Sequence, residues 1–318
     1  MEDIVTNSIM ERLKNPIRKV IPKKIRLYFF YRNVEREANN FGVSIKKIGI
    51  NYSIRKDREE IRVSVEHSIY LYDIIQNFEF YFSGVKPIRW HDTDIVDFST
   101  PRLHWVTGFE YFPILFPSFV EPIITTKQYI EFAALRSDSV VIDLGAYSGL
   151  TSILFDMAIP TGGQVISIEA DRNNAVTCRE NLHLYERFFK RKIKFLEMAI
   201  WKNDLGVNFS SEGNMGSSVI DIVGPSRGEN IIVPSLTLTQ LAHRLKLEKI
   251  DFIKCDIEGG ETEIFDAPEF FSEYLPKILI ECHFIDGKRT TENRCREVLE
   301  KFGYTCDTAH IPQVEFQK

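Results

Sequence analysis

No stretch of the 318-residue chain approaches the roughly 18 to 20 consecutive apolar residues that a membrane-spanning helix requires. The start of the chain also lacks the apolar core of a secretory signal, and the reading is of a soluble, cytoplasmic protein. Cysteines are few and odd in number, namely Cys178, Cys255, Cys282, Cys295 and Cys306, and no two form a C-x-x-C pair. That pattern argues for reduced, intracellular thiols. A basic main body is missing too. Residues 1–62 hold 15 Lys/Arg against 8 Asp/Glu, which leaves 25 against 37 in residues 63–318. An acidic body lacks the basic track needed to neutralise phosphates, which argues against a nucleic-acid partner.

The composition that remains, 44% hydrophobic and 27% charged, is that of a chain able to bury one large core plus an appendage. From about Glu121 onward, short apolar runs alternate with helical patterns, the signature of repeated βα units around a parallel sheet. The predicted strands are Val140–Leu144, Val165–Glu169, Ile193–Met198, Ile250–Cys255 and Lys277–Glu281. Leu150, Ile153, Leu154 and Met157 recur at helical spacing. So do Cys295, Val298, Leu299 and Phe302, with Gly303 as a stop. A terminal strand or hairpin is expected from Tyr304 onward. Residues 1–120 read as a smaller α+β domain, with an alternating segment at Ile61–Val65, a turn-like Arg55–Glu60 and an aromatic run through Phe78, Phe80, Tyr81 and Phe82.

Chemistry concentrates at the strand ends. Val140 to Gly149 reads as a buried strand that ends in Asp143 and a turn, Gly145-Ala146-Tyr147-Ser148-Gly149, opening a helix. Glycine there lets backbone approach a ligand. The dinucleotide fingerprint G-x-G-x-x-G needs a second glycine where this chain has Tyr147, which disfavours a nicotinamide-dependent oxidoreductase. A bulky residue at that point suits a ligand without pyrophosphate, such as S-adenosylmethionine, with Asp143 near its ammonium group. The second strand ends in Glu169-Ala170-Asp171, placing a carboxylate where it can accept both hydroxyls of a ribose, while Asp171 can cap the next helix. The third exit, Met198-Ala199-Ile200, is where an adenine edge would lie. On the fourth, alternation puts Lys254, Asp256 and Glu258 broadly on one side, with Glu261 serving the first turn of the next helix. The fifth adds Glu281 and His283, histidine being the side chain best poised as a base near neutral pH.

Three passages, Glu121 through Tyr129 leading to VVIDLGAYSG, then ISIEADRNN, and above all IDFIKCDIEGGETEIF followed by ILIECH, resemble the FkbM family of methyltransferases. The likeness covers roughly residues 120–302. Cys255 replaces a more usual aliphatic residue, a harmless departure if it faces the core. The resemblance implies a Rossmann-like class I methyltransferase fold over residues 121–318, a mostly parallel sheet of about seven strands with a reversed strand near its end. It also implies S-adenosylmethionine as cofactor and methyl transfer to a hydroxyl of a sugar, glycolipid or other secondary metabolite. The expected cofactor contacts are Asp143, Gly145, Ala146, Tyr147, Gly149, Glu169, Ala170, Ala199 and Asp256. His283 or Asp256 is expected as the base, with Glu258 orienting the acceptor and Lys254 tuning Asp256.

Other readings remain open beside this one. Asp256, Glu258 and His283 could instead hold Mg²⁺ that binds two acceptor oxygens, or the fold could bind cofactor as a scaffold without turnover. The front segment, Ile4 to Tyr28, interleaves basic and apolar residues but is interrupted by Pro16 and Pro22. It reads as an arm packed on the acidic body or a second subunit, with weak attachment to an anionic membrane surface and a lipid-linked glycan acceptor as the sharper alternative.

Overall fold

The computed structural model describes residues 23–121, 123–211, 218–219, 229–283 and 290–308. Residues 1–22 of the basic front segment and Pro122 at the expected unit boundary lie outside them. Helix α1 spans Lys23–Asn40. It is followed by β1 (Ser44–Ile48), β2 (Asn51–Lys56) and β3 (Glu59–Ser64), then by α2 (Leu71–Gln76) and α3 (Phe78–Ser83). The expected turn narrows to Asp57 and Arg58, with Asp57 at φ 51. The aromatic run folds as α3, which buries Phe78, Tyr81 and Phe82. Strands β4 (Ile88–Trp90) and β5 (Thr93–Phe98) complete a sheet ordered β1-β2-β3-β5-β4, and β6 (Arg102–His104) pairs with β7 (Ile114–Phe116).

The second unit begins with α4 (Ile123–Ala133), β8 (Val140–Leu144), α5 (Leu150–Ala158), β9 (Gln164–Glu169), α6 (Arg172–Phe189) and β10 (Lys194–Glu197). A short excursion follows: β11 (Ala199–Ile200), β12 (Val207–Ser211), β13 (Ser218–Val219), β14 (Glu229–Val233) and β15 (Ser235–Leu236). Then come α7 (Leu238–Leu245), β16 (Phe252–Cys255), α8 (Glu261–Ile264), α9 (Pro268–Glu273), β17 (Lys277–Ile280) and α10 (Glu292–Lys301). Local chemistry supports these ends. Asp171 accepts from the N–H groups of Asn173 and Asn174 at the start of α6, Thr237 and Gln240 form a capping box on α7, and Gly303 stops α10 at φ 86.

The five strands expected from the apolar runs make one parallel sheet, ordered β10-β9-β8-β16-β17. The chain builds outward from β8 on one side, then crosses to start again beside it with β16. Such a reversal leaves a crevice at the carboxyl ends of β8 and β16, where open α/β sheets bind ligands. The sheet holds five strands among the described residues, against about seven expected. The excursion strands β12, β13 and β14 pair with one another instead, residues 304–308 form no strand, and 309–318, where a return strand was expected, lie outside the described residues.

Strand alternation sorts the core into two layers. Val141 and Phe252 face a layer shared with Phe98, Phe116 and Phe119 of the N-terminal unit. Ile142, Leu144, Ile253 and Cys255 face the other, with Leu241, Phe265 and Val298. The first layer is continuous across residue 120, and burial of each large side chain in it contributes about 1.5–3 kcal/mol. Lys254 lies on the Phe252 side of its strand, so a lysine is carried into the interior at the switch point.

Candidate active site

At the end of β8 the chain turns through Gly145 at φ 76, a left-handed conformation that favours glycine. A Cβ there would lie 1.7 Å from the Asp256 carbonyl oxygen. The missing side chain makes room for the neighbouring strand exit, and Gly145 also lines the cleft. Gly149, at φ 80, likewise makes room for α6, since a Cβ would sit 2.9 Å from Cys178 Sγ. Ala146 is buried, and its N–H, like that of Gly145, donates to the Ile168 carbonyl at 3.0 Å.

Tyr147 is held at φ 48, an unusual backbone state for a bulky residue. Its N–H donates to Glu169 Oε2 at 2.7 Å. Its phenol reaches the N-terminal unit, donating to the Phe119 carbonyl at 2.9 Å and lying 2.9 Å from Ser118 Oγ. Tyr147 thus ties the turn to the segment that leads into Glu121. Glu169 accepts a second backbone N–H, from Asp171 at 2.7 Å, through its other oxygen. Both oxygens are engaged, yet each keeps a lone pair for a ribose hydroxyl. Burial pushes the Glu169 carboxyl up to about 8.

These residues open on a cavity of about 110 Å³. Gly145, Tyr147, Glu169, Ala170, Ala199, Asp256 and Glu258 line it, as expected from the sequence. Met198, Ile200 and Phe209 form an apolar end beside Ala199, and Glu121 and Glu281 add carboxylates. Asp143, Ala146, Gly149, Lys254 and His283 are not in the wall. Asp143 is fully buried beneath it, where its Oδ2 accepts from Ser152 Oγ at 2.6 Å and its Oδ1 lies 3.6 Å from Lys254 Nζ.

Lys254 is the hub of the acidic end. Its Nζ donates to the Gly145 carbonyl at 2.9 Å and lies 3.3 Å from Asp256 Oδ2. Burial pulls this ammonium down, but Asp256, Asp143 and Glu121 outweigh it and hold its pKa well above the ordinary lysine value. On the far side of Asp256 stands His283, whose Nε2 is 3.4 Å from Asp256 Oδ1 and 3.6 Å from Glu258 Oε1. Its Nδ1 is 2.9 Å from Glu261 Oε1. Burial lowers the imidazole pKa, but that hydrogen bond and the charges of Glu258 and Asp256 push it up to about 10. At neutral pH the ring then carries both protons and has no lone pair with which to act as a base. Glu258, at φ 54, is pushed up to about 8 by burial, against the pull of His283.

Three participants had no assigned catalytic or cofactor-binding role. Glu121 accepts from Ser148 Oγ at 3.3 Å, and burial pushes it up to about 8. Its only signal was its place at the head of the family-like passage, because it lies on neither strand nor helix. Glu281 accepts from Tyr129 OH at 3.1 Å. Glu261, read as a first-turn charge of α8, is fully buried and takes the Gly259 N–H at 3.1 Å in addition to His283.

The strand order and the cleft at the switch point are those of a Rossmann-like α/β fold. The chain belongs to the FkbM methyltransferase family: residues 143–306 match the methyltransferase FkbM domain. No curated protein matches it. Among solved structures it is similar to the methyltransferase FkbM of Methylobacillus flagellatus KT, at 17% identity and TM-score 0.40, covering 86% of this chain and 54% of that one. The chain thus spans about half the length of that protein. It is also similar to a SAM-dependent methyltransferase of Agrobacterium tumefaciens, at 11% identity and TM-score 0.41, covering 81% and 78%. A third is precorrin-6y C5,15-methyltransferase of Geobacter metallireducens GS-15, at 17% and TM-score 0.37, covering 58% and 74%.

S-adenosylmethionine is the cofactor of such an enzyme, and the chemistry of the cleft's lining suits it. The apolar end suits an adenine, Glu169 suits ribose hydroxyls, and the carboxylates of Glu121, Asp256 and Glu281 suit a cationic sulfonium and ammonium. Among the described residues no helix is long and apolar enough to cross a membrane.

Proposed function

We propose that this methyltransferase acts on a hydroxyl oxygen of a sugar, glycolipid or similar polyol. The observation that carries the reading is the juxtaposition of Asp256, Glu258 and His283 beside the cleft that holds Glu169 and Gly145. Two carboxylates and an imidazole that converge beside the cleft offer polar partners on more than one side of a hydroxyl-bearing acceptor. When bound, S-adenosylmethionine supplies a methyl carbon open to in-line displacement. The chain's own residues orient and deprotonate. Asp256, fixed between Lys254 and His283, points one carboxylate edge at the acceptor hydroxyl and receives its proton as the new bond forms. Lys254 holds that edge in place, and Glu258 orients the acceptor from the adjoining loop. The assignment of Glu169 to ribose and of Met198, Ala199 and Ile200 to adenine is part of the same proposal.

The test is transfer of labelled methyl from S-adenosylmethionine to a panel of monosaccharides, oligosaccharides and glycolipids. An O-methyl ether is expected, and Asp256→Asn should lower turnover by about 10²- to 10⁴-fold, far more than it lowers cofactor affinity. A product methylated on nitrogen or carbon, or full turnover by Asp256→Asn, would contradict the reading.

A further inference from the structure

The spacing around His283 is too long for hydrogen bonding on one side of the ring and normal on the other. Nδ1 sits 2.9 Å from Glu261 Oε1, the length of a charge-assisted hydrogen bond. Nε2 stands 3.4 Å from Asp256 Oδ1 and 3.6 Å from Glu258 Oε1, both beyond the roughly 2.7–2.9 Å of such a bond. Asp256, Glu258 and His283 each place one donor atom within 4.8 Å of a donor of the other two. Donors placed at about 2.0–2.2 Å around a single ion in a tetrahedral arrangement are separated by about 3.3–3.6 Å, which matches the two distances from Nε2.

From this geometry we infer that Asp256, Glu258 and His283 hold a divalent metal cation at the acceptor end of the cleft. The pattern beyond the three donors supports it. A metal-bound histidine almost always gives its other ring N–H to a carboxylate, which fixes the tautomer and aims the free nitrogen. Glu261 does this for His283 from a fully buried position, with its own Oε2 lacking a hydrogen-bond partner. Among the described residues the carboxyl groups of Asp256, Glu258, Glu261 and Glu281 gather around Lys254 and His283, an oxygen-rich surrounding for a cation. One ion would take the place of the Nε2 proton and draw the two carboxylate oxygens inward. A mixed set of two oxygens and one imidazole suits Mn²⁺ or Zn²⁺ better than Mg²⁺, which prefers oxygen throughout. With three protein donors the ion keeps positions open to oxygens of the acceptor, so a substrate with two adjacent hydroxyls is the class it would select. The inference rests on the acceptor site proposed above only for that last step; cation binding itself needs no acceptor.

The experiment uses the full chain, stripped with chelator and dialysed, titrated with Mn²⁺ and followed by the electron paramagnetic resonance of free Mn²⁺. One saturable site per chain is expected. Asp256→Asn, Glu258→Gln and His283→Gln should each weaken it at least tenfold, and His243→Gln, at an exposed histidine paired with Glu273, should leave it unchanged. Displacement of Mn²⁺ by stoichiometric Zn²⁺ supports the mixed donor set. S-adenosylhomocysteine is titrated into the same samples. Normal cofactor binding with no Mn²⁺ site, or an Mn²⁺ site that survives in every folded variant, overturns the cation while leaving the methyltransferase intact.

Discussion

Lys254→Met should be among the most damaging single substitutions in the chain. The ammonium is 2% exposed and touches three groups: the Gly145 carbonyl at 2.9 Å, Asp256 Oδ2 at 3.3 Å and Asp143 Oδ1 at 3.6 Å. Methionine keeps most of the volume and removes only the charge. Asp143, which is fully buried, would then face Asp256 with no cation between them. Breaking a buried pair by removing one partner costs about 3–5 kcal/mol, because the remaining charge is stranded in a poor solvent. At roughly 2 °C per kcal/mol or slightly more for a large domain, the melting temperature should fall by about 6–12 °C. Urea unfolding followed by circular dichroism measures the loss directly. Adding Asp143→Asn to Lys254→Met should recover part of it, since the stranded charge is gone. A single variant within about 1 kcal/mol of wild type, or a double variant no better than the single, would refute the role assigned to Lys254.

Much of this arrangement is legible in the sequence because period-two burial is a strong signal. Val140–Leu144 and Phe252–Cys255 are apolar enough that Asp143 and Lys254 stand out as polar residues carried inside, and Asp256 follows at the exit. Directions are not legible. Tyr147 reads as bulk that excludes a pyrophosphate, but only the fold shows its phenol bonded to Phe119. Gly145 reads as a glycine needed by a ligand, whereas its Cβ position belongs to the Asp256 carbonyl from a strand more than a hundred residues away. Glu261 has the sequence position of an ordinary helix-start charge, and its burial beneath His283 depends on the loop between Asp256 and Gly260. Glu121 sits in no periodic element at all, so nothing local marks it.

Further consequences follow from the same contacts. Glu121 and Glu169 have folded pKa values of about 8, above an ordinary glutamate near 4.5. The folded state therefore holds these protons more tightly. The stability they contribute is present below pH 4.5 and lost as pH rises toward and through 8. The cofactor-free protein should melt at a lower temperature at pH 8.5 than at pH 6.5 in scanning fluorimetry, and a flat or rising profile would contradict the burial of these groups. Gly145→Ala should fail to give stable folded protein, because its Cβ would fall 1.7 Å from a backbone oxygen; a folded variant of normal stability would show that the two strand exits are further apart. Tyr147→Phe should cost about 1–2 kcal/mol by removing the phenol that bonds Phe119 and Ser118, and an unchanged urea midpoint would remove that tie.

The central claim is that the cleft at the β8–β16 switch point binds S-adenosylmethionine, with Glu169 on the ribose. Isothermal titration of S-adenosylhomocysteine into wild-type protein and Glu169→Gln tests it most directly. One site per chain is predicted, with affinity in the variant weaker by about 1–3 kcal/mol, or roughly 5- to 150-fold, through loss of hydrogen bonds to the ribose hydroxyls. No heat of binding in the folded wild type, or equal affinity in a folded Glu169→Gln, would contradict it.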